Sequence, residues 1–435
     1  MSYTVIRFSN SIYSLPNITE IYDKVSDLSY DQTKQFLFSN LYFEMSDTFS
    51  RVMNQIGNNS YDFISDFEIL QKKWANEKGI KYNYNNWQVV IVLEQIRYYR
   101  PDIVFFQDYY SLPVKVRKDL KKIFPFIKLV VMHKGYPSSI YQLSDFDHIF
   151  AASVDFYKNL IKNNFPATLS YHYFDEQILN SIKNTDKIYD LTFLGTTGYN
   201  YPSHSKRFLI LSNLLKEMKL HIWGNENKKS KYYLTIPKLI MKKILAQILN
   251  ISSKNFKEFL LSKINYEDKI YKFVEEIYFK LDNLENKKLN SFFFEKLYDV
   301  QGNYNQSLKN NKNATFNPAV FGVEYFQILA NSKITLNIHA NQSYPYLNAK
   351  RLFESTGVGT LLITDSGKNI DDLFIEDEEI LTFKNYEELK EKINYILNNP
   401  DKMDKISKAG QKRTINSHNP KNRIQEIDRK LKELL

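Results

Sequence analysis

The stretch NAKRLFESTGVGTLLITD, residues 348–365, decides how the rest of this chain is interpreted. It predicts a helix that begins with the cations Lys350 and Arg351, carries Glu354 one turn later, and is ended by the STGVG segment. The apolar run TLLIT that follows predicts a strand covered on both faces. Cations at a helix start attract phosphate, and a carboxylate one turn on can accept hydrogen bonds from a sugar diol. The stretch therefore predicts a site for a nucleoside diphosphate.

The same residues also have an ordinary structural interpretation. A helix followed by a buried strand occurs in any α/β domain. Glu354 would then lie on a solvated helix face or pair with Lys350 four residues earlier, and the cations would be simple surface basicity. We favour ligand binding because cations, carboxylate and glycines occur together. Asn348 is expected to cap the helix or to contact the ligand.

Working outward, strand-like and helix-like segments alternate, which predicts α/β domains with parallel, doubly wound sheets. Between about residue 9 and residue 100 the pattern predicts helices only. The predicted strands comprise residues 4–8, 102–106, 127–132, 148–153, 191–195, 220–224, 333–339, 361–364 and 380–384. The main predicted helices comprise residues 114–123, 155–163, 206–218, 321–331, 386–398, 401–416 and 420–434.

The chain has 435 residues, enough for two or three domains. A polar stretch at 175–188 separates the two alternating halves. We therefore predict an N-terminal Rossmann-like domain at 1–180 and a second at 188–418. The second is interrupted at 226–317 by a lysine- and asparagine-rich, mostly helical insertion. The last segment, 419–435, is expected to be a helix that packs back toward the first domain.

Further candidate residues follow the predicted strands, because ligands of doubly wound sheets lie beyond the carboxyl ends of the strands. Asp108 follows the strand DIVFF and His133 follows IKLVVM, so each is a candidate proton acceptor. His339 follows KITLNIH and is expected to point toward the same cleft. Each of them could equally be an ordinary polar residue at a strand end. His172, near the hinge, is expected to be structural.

The loop Gly195, Thr196, Thr197 and Gly198 follows the first strand of the second half. Small residues let main-chain amides approach a phosphate, although many such loops are plain turns. Arg207, on the next helix, is expected to reach the same phosphates.

Composition excludes several classes of site. There are no cysteines, which excludes disulfides, thiolate zinc sites and cysteine nucleophiles. The 7 histidines form no HExxH pair, and no DxD-like acidic motif lies in a predicted donor loop, so we predict no metal site. The net charge of +10 is spread along the chain among 49 acidic residues. Because no nucleic-acid-binding motif is present, we expect no nucleic-acid partner.

The expected location is cytoplasmic. The first residues show no basic region followed by an apolar run, and no apolar stretch is long enough to span a bilayer. Within the insertion, residues 236–249 form a basic amphipathic pattern. This segment would lie on the inner membrane surface or pack against its own domain, and we favour packing.

Three phrases in the C-terminal half carry a resemblance. SKITLNIH at 332–339, the N-x-x-R-x-FE-x-TG-x-G phrase at 348–359, and GQKR with a later His and Arg at 410–423 occur in this order. Over roughly the last quarter of the chain they resemble GT-B glycosyltransferases of the spore-maturation-protein group. The resemblance implies two Rossmann-like domains facing a cleft. It also implies retaining, metal-independent transfer from a nucleotide-sugar to a glycan, lipid-linked or protein acceptor, as in surface polysaccharide biosynthesis, with no cofactor beyond the donor.

The resemblance also implies roles for single residues. Glu354 matches the second of two glutamates that contact the donor, and that glutamate binds the ribose. The first glutamate position is Tyr346 here, which puts the donor-sugar contact in doubt. Lys350 and Arg351 would neutralise the departing diphosphate, and His133 would lie near the donor sugar. The alternative is a non-catalytic nucleotide-sugar-binding or scaffold protein with the same fold.

Overall fold

A computed structural model describes residues 2–10, 18–40, 47–107, 110–135, 143–199, 204–225, 308–340 and 345–435. Asp108, most of the insertion and its amphipathic segment at 236–249 lie outside the described residues. The described residues form two separate sheets, each with six parallel strands.

The N-terminal sheet has the strand order β2-β1-β3-β4-β5-β6. Its strands are β1 (Thr4–Ser9), β2 (Asn59–Ile64), β3 (Ile103–Phe106), β4 (Leu129–Lys134), β5 (His148–Ala151) and β6 (Ala167–Leu169). Its helices are α1 (Ile18–Val25), α2 (Tyr30–Asn40), α3 (Thr48–Gln55), α4 (Glu68–Glu77), α5 (Trp87–Tyr99), α6 (Val114–Lys118), α7 (Leu120–Ile123) and α8 (Val154–Lys162). A 3₁₀ helix at Glu176–Ser181 leads to the second half.

The C-terminal sheet has the order β12-β11-β10-β7-β8-β9. Its strands are β7 (Tyr189–Leu194), β8 (Leu220–Trp223), β9 (Ala314–Asn317), β10 (Ser332–Asn337), β11 (Leu361–Asp365) and β12 (Leu381–Phe383). Its helices are α9 (Ser205–Glu217), α10 (Gly322–Ala330), α11 (Arg351–Gly357), α12 (Tyr386–Leu397), α13 (Pro400–Ser417) and α14 (Pro420–Leu434). A 3₁₀ turn at Leu308–Asn310 precedes β9.

The predicted α/β architecture of two doubly wound sheets is confirmed, but three strands were missed. β2 lies in a region predicted to be entirely helical. Three of the first four residues of its sequence NSYDFI are polar, so the sequence shows no apolar strand pattern although four of the six residues are buried. β6 has only three residues. β9 lies in a segment predicted to be helical, and none of its residues is fully buried.

Apolar strand sequences explain the cores, since every residue of β3 and β11 is buried. The last helices have clear start signals. Asn385 accepts a hydrogen bond from the Glu388 amide at 3.0 Å, and Asn419 accepts one from the Asn422 amide at 2.8 Å. Pro420 then occupies the first position of α14, where a proline fits best.

Helix α14 packs against the N-terminal half, alongside α3. Its buried residues Ile424, Ile427 and Leu431 join an apolar cluster built around β1, β3 and α3. The Tyr3 hydroxyl donates a hydrogen bond of 2.8 Å to Asp428 at the same contact.

Phe174 fixes the connecting segment, which lies between β6 and β7, against the second half. Its amide donates to the His418 carbonyl oxygen at 2.9 Å, and its ring packs edge-on against Phe326. A Cβ atom at position 357 would overlap the Phe174 ring, so helix α11 can approach only because this residue is Gly357.

Candidate functional site

The loop after β7 requires glycine at both ends. Gly195 has φ +133° and Gly198 has φ +90°, values that other residues rarely adopt. The Gly195 amide donates to the Trp223 carbonyl oxygen at 2.7 Å, and a Cβ at 198 would overlap the His204 carbonyl oxygen. Thr197 is fully buried between them. The GTTG sequence therefore encodes a tight main-chain turn at the carboxyl edge of the sheet.

Arg207 holds the GTTG loop through hydrogen bonds to main-chain carbonyl oxygens. Its Nη1 donates to the Thr196 carbonyl oxygen at 2.8 Å, while Nε and Nη2 donate to the Ile338 carbonyl oxygen at 2.9 and 2.6 Å. These bonds tie the GTTG loop to the end of β10. A phosphate contact by Arg207 stays a prediction, because these three nitrogens already bond to the main chain.

Arg351 and Glu354 are joined through a residue that we did not predict, Tyr325 of α10. The Tyr325 hydroxyl donates to Glu354 Oε2 at 2.6 Å and accepts from Arg351 Nε at 3.0 Å. The Arg351 guanidinium also lies 5.4 Å from the centre of the Tyr325 ring. Arg351 Nη1 and Nη2 lie 3.6 and 3.7 Å from the position that a Cβ atom would occupy at Gly195. Arg351 is therefore positioned directly beside the glycine loop.

Glu354 is buried, with 6% of its surface exposed, which rules out a solvated helix face. Burial raises the pKa of Tyr325 well above its usual range, and the Glu354 carboxylate adds to this rise against the opposing effect of Arg351. The phenol therefore stays protonated and keeps donating to the carboxylate.

Two details of the helix α11 differ from the sequence interpretation. The helix continues through Ser355 and Thr356 to Gly357, so the glycine segment ends it later than predicted. Its N-cap position is Lys350, without a side-chain capping bond, so Asn348 is not the helix cap. Contact of Asn348 with a ligand stays a prediction.

His339 pairs with Asp365 at the ends of neighbouring strands β10 and β11. His339 Nδ1 lies 2.7 Å from Asp365 Oδ1, and the His339 amide donates to the same oxygen at 3.1 Å. Burial opposes ionisation of Asp365, but its bonds to His339 and the charge of Lys206 lower its pKa below the usual value. The carboxylate thus holds the imidazole in one orientation.

His133, at the end of β4, has both ring nitrogens engaged. Nδ1 lies 2.8 Å from Gln107 Nε2, and Nε2 lies 3.3 Å from the Ser170 carbonyl oxygen. Because a carbonyl oxygen only accepts, Nε2 carries the proton and Nδ1 accepts from the Gln107 amide. His133 can therefore act as a proton acceptor only after Gln107 releases Nδ1.

One cavity brings residues of both halves together. Gln107, His133 and Ser170 line it from the N-terminal half, and Lys350 and Glu354 line it from α11 and the residue before it. Of the predicted residues that the structure describes, His133, Lys350 and Glu354 are the three that share this lining. Arg351 does not line the cavity, but Tyr325 joins it to Glu354 through two hydrogen bonds, and the glycine loop lies next to the Arg351 guanidinium group.

His172, expected from sequence to be structural, lines the same cavity. Its ring packs edge-on against His133 at 5.8 Å. Burial, with smaller contributions from Lys350 and His133, holds the pKa of His172 well below its usual value. The imidazole is therefore neutral at physiological pH.

Charged pairs border the cavity on the N-terminal side. The buried Arg7 side chain forms an ion pair with Asp62. Asp175 accepts hydrogen bonds from Arg51 at 2.5 Å and from Thr48 at 2.6 Å. The first pair joins β1 to β2, and the bonds of Asp175 fix the connecting segment to α3.

The described part of the chain contains neither a cluster of metal ligands nor a membrane-spanning helix. No group of three or more histidine, aspartate or glutamate side chains is arranged to hold a metal ion there. Within the same residues, no helix combines the length and apolar character needed to cross a bilayer.

Residues 287–429, about a third of the chain, match the family model described as glycosyl transferase-like. The structure is similar to a glycosyltransferase from Rickettsia africae, with 11% identity, a TM-score of 0.52, and 100% of this chain and 98% of that chain covered. It is similar to HepE from Anabaena in complex with UDP and glucose, with 10% identity, a TM-score of 0.52 and 99% of both chains covered.

Sucrose-phosphate synthase from Thermosynechococcus elongatus is similar to the same degree, with 9% identity, a TM-score of 0.52 and 99% of both chains covered. A comparison with curated proteins found no significant match. At these identities the structural likeness shows the fold, which is GT-B. The family match and the fold together support a transferase. Membership of the spore-maturation-protein group stays a prediction.

Proposed function

We propose that this chain is a glycosyltransferase that moves a sugar from a nucleotide-sugar donor to an acceptor. The observation that carries the proposal is the Arg351–Tyr325–Glu354 network. It joins a cation beside the glycine loop to a buried carboxylate that faces a cavity between the two halves. A cation for phosphate and an acceptor for a sugar diol are the two groups that a nucleoside diphosphate needs.

In this proposal the second half holds the nucleotide. Glu354 accepts hydrogen bonds from the ribose, and Arg351 with the GTTG amides contacts the diphosphate. The complex of HepE with UDP and glucose supports a uridine nucleotide as the first one to try. His339, held by Asp365, and Asn348 are further donor-side candidates.

Charge compensation at the leaving diphosphate is assigned to Lys350 and Arg351. Sugar transfer proceeds through an oxocarbenium-like transition state, so negative charge grows on the leaving phosphate. Fixed cations aimed at that phosphate stabilise the transition state more than the ground state. We propose that the reaction is retaining and needs no divalent ion, and that His133 serves the transfer step from the other side of the cavity.

We propose a glycan, lipid-linked or protein acceptor in surface polysaccharide biosynthesis, reached in the cytoplasm at the inner membrane surface. This part rests on the resemblance and the basic amphipathic pattern at 236–249, which lies outside the described residues. Transfer to lipid-linked and to soluble acceptors, measured with and without anionic vesicles, distinguishes these possibilities.

One observation favours the alternative of a binding protein without turnover. Tyr346, at the position where similar enzymes have a donor-contacting glutamate, accepts a hydrogen bond from Lys158 at 2.6 Å and lies under its ammonium group. A tyrosine held in this way cannot replace a carboxylate. Binding of a nucleotide-sugar with no release of nucleoside diphosphate, with any acceptor tried, would favour this alternative.

The proposal is tested first by a thermal-shift panel of nucleoside diphosphates and their sugars, because ligands that bind the folded state raise the melting temperature. Titration calorimetry with the best nucleotide then compares the wild type with Glu354→Ala. Loss of hydrogen bonds to a charged group should weaken binding by roughly 1–3 kcal/mol. Glu426→Ala, an exposed glutamate of α14, is the control. Equal affinities of all three folded proteins would refute the ribose assignment.

A further inference from the structure

Ser170 lies in the wall of the cavity and carries a buried hydroxyl group. The residue is 4% exposed and lines the cavity with His133, Lys350 and Glu354. Among the described residues, its Oγ atom has no hydrogen-bond partner. Buried hydroxyl groups are nearly always bonded, and an unsatisfied one is a cost that persists where a function requires it.

The main chain prevents Ser170 from relieving this cost by a small shift. Its amide donates to the Ala151 carbonyl oxygen at 2.8 Å, which continues the parallel pairing of β6 with β5. Its carbonyl oxygen accepts from His133 Nε2 at 3.3 Å. Both main-chain groups are therefore anchored, so the hydroxyl group cannot gain a partner through a small shift of the main chain.

The neighbours of Ser170 indicate the chemistry of its ligand. His172, two residues later, lines the same cavity, and its Nε2 lies 3.5 Å from the point where a side chain at Gly135 would begin. A serine hydroxyl can both donate and accept a hydrogen bond. A neutral imidazole can do the same, because in either tautomer one ring nitrogen donates and the other accepts. Groups that can do both suit a ligand hydroxyl better than a phosphate, which only accepts.

We propose that Ser170 is a substrate-binding residue that hydrogen-bonds a hydroxyl group of the donor's sugar. The inference rests on the proposed function and extends it, because it assigns sugar recognition to the segment that joins the two halves. The nucleotide is held by α11 and the glycine loop on the other side of the cavity. Ser170 should therefore distinguish a nucleotide-sugar from the bare nucleoside diphosphate.

The test measures the binding of both ligands by calorimetry. Probes are UDP and UDP-glucose, or the best-binding diphosphate and its sugar if the thermal-shift panel selects another base. Ser170→Ala should leave UDP affinity within about twofold and weaken UDP-glucose binding by about 3- to 10-fold, the range of one neutral hydrogen bond. Without ligand, its melting temperature should equal or exceed that of the wild type, because an unsatisfied group is removed.

Ser60→Ala is the matched control. Ser60 lies in β2, is 5% exposed, and its Oγ also lacks a partner among the described residues, but it does not line the cavity. It should change neither affinity.

Three outcomes overturn the inference, and they differ in meaning. A clear fall in the ligand-free melting temperature of Ser170→Ala would mean that the hydroxyl has a structural partner. Unchanged UDP-glucose affinity, or an equal loss of affinity for both ligands, would mean that the Ser170 hydroxyl does not bind the sugar. Wild-type protein that binds no nucleoside diphosphate would refute the proposed function, and the inference with it.

Discussion

Replacing Tyr325 by phenylalanine removes one oxygen atom from the centre of the candidate donor site. The hydroxyl donates to Glu354 at 2.6 Å and accepts from Arg351 at 3.0 Å, so its loss breaks both bonds. The ring remains, and with it the edge-on contact with Phe326 at 5.2 Å and the position of the Arg351 guanidinium over the ring. The change therefore tests the hydrogen bonds and leaves the packing intact.

The structure sets the expected magnitude. A hydrogen bond to a charged group contributes about 1.5–3 kcal/mol, and two bonds through one atom are not additive. We expect a total loss of about 2–3 kcal/mol, divided between folding and ligand binding. Because Glu354 stays buried after losing its donor, part of the loss falls on stability. The rest should weaken nucleoside diphosphate binding by about tenfold, which corresponds to 1.4 kcal/mol.

The assay combines urea unfolding with calorimetric titration of UDP or of the best-binding diphosphate. Tyr3→Phe is the matched control, since its hydroxyl donates to the buried Asp428 at 2.8 Å where α14 packs against the N-terminal half. It should lose comparable stability and keep its nucleotide affinity. A double-mutant cycle of Tyr325→Phe with Glu354→Gln should show a coupling of at least about 0.5 kcal/mol. Wild-type affinity in Tyr325→Phe, or full additivity in the cycle, would refute the reasoning.

Three further predictions follow from single contacts. His133→Ala should bind nucleoside diphosphate almost normally but transfer sugar far more slowly, because a residue acting on the transition state affects turnover more than affinity; wild-type transfer rates would refute its role. Burial and the adjacent guanidinium groups lower the pKa of His418 to about 4 in the folded protein, below an unfolded value of about 6.5. The unfolded chain therefore binds more protons than the folded protein between these two pH values. The free energy of unfolding should fall by up to about 3 kcal/mol as the pH drops from 6.5 to 4. His418→Gln should flatten this pH dependence in urea unfolding, and an unchanged slope would contradict the assignment. Gly410→Ala should lower the free energy of unfolding by about 1–3 kcal/mol, because the added methyl group overlaps the Glu379 carbonyl oxygen. Replacing the exposed Lys412 of the same helix by alanine should change it by less than about 0.5 kcal/mol in the same urea titration. Equal unfolding midpoints for the Gly410→Ala variant and the wild type would contradict the overlap.

The architecture was predictable from sequence because its central strands are rich in apolar residues and alternate with helices. β3, β4 and β11 begin with continuous apolar runs, β7 and β10 place Leu, Ile and Phe between polar residues, and all five lie inside their sheets. The missed strands β2 and β6 are the two edges of the N-terminal sheet, and β9 is one edge of the C-terminal sheet, whose other edge, β12, was predicted. Edge strands are shorter or more polar, so hydrophobic pattern alone does not identify them.

The candidate site was predictable where its residues follow a predicted strand, as His133 does, or lie close together in sequence. Lys350, Arg351 and Glu354 share one helical turn, and spacing alone indicated that they act together. Tyr325 meets them from another helix, and nothing in a chain with 32 tyrosines distinguishes it. Ser170 had no signal either, because an unsatisfied hydroxyl is a property of the folded surroundings and not of the residue type.

The C-terminal GQKR phrase is one of the three that carry the family resemblance, and its contacts are with the last residues of helix α11. The Gln411 side chain donates to the Gly357 carbonyl oxygen at 3.0 Å, and the hydroxyls of Thr356 and Thr414 lie 2.6 Å apart. One turn beyond, His418 donates to the Leu373 carbonyl oxygen at 2.7 Å. The first two contacts fix the last residues of α11 to α13, and the third ties the end of α13 to the segment between β11 and β12. The phrase and the NAKRLFE stretch therefore form one physical unit, because a helix that orients a cation and a buried carboxylate needs a rigid support behind it.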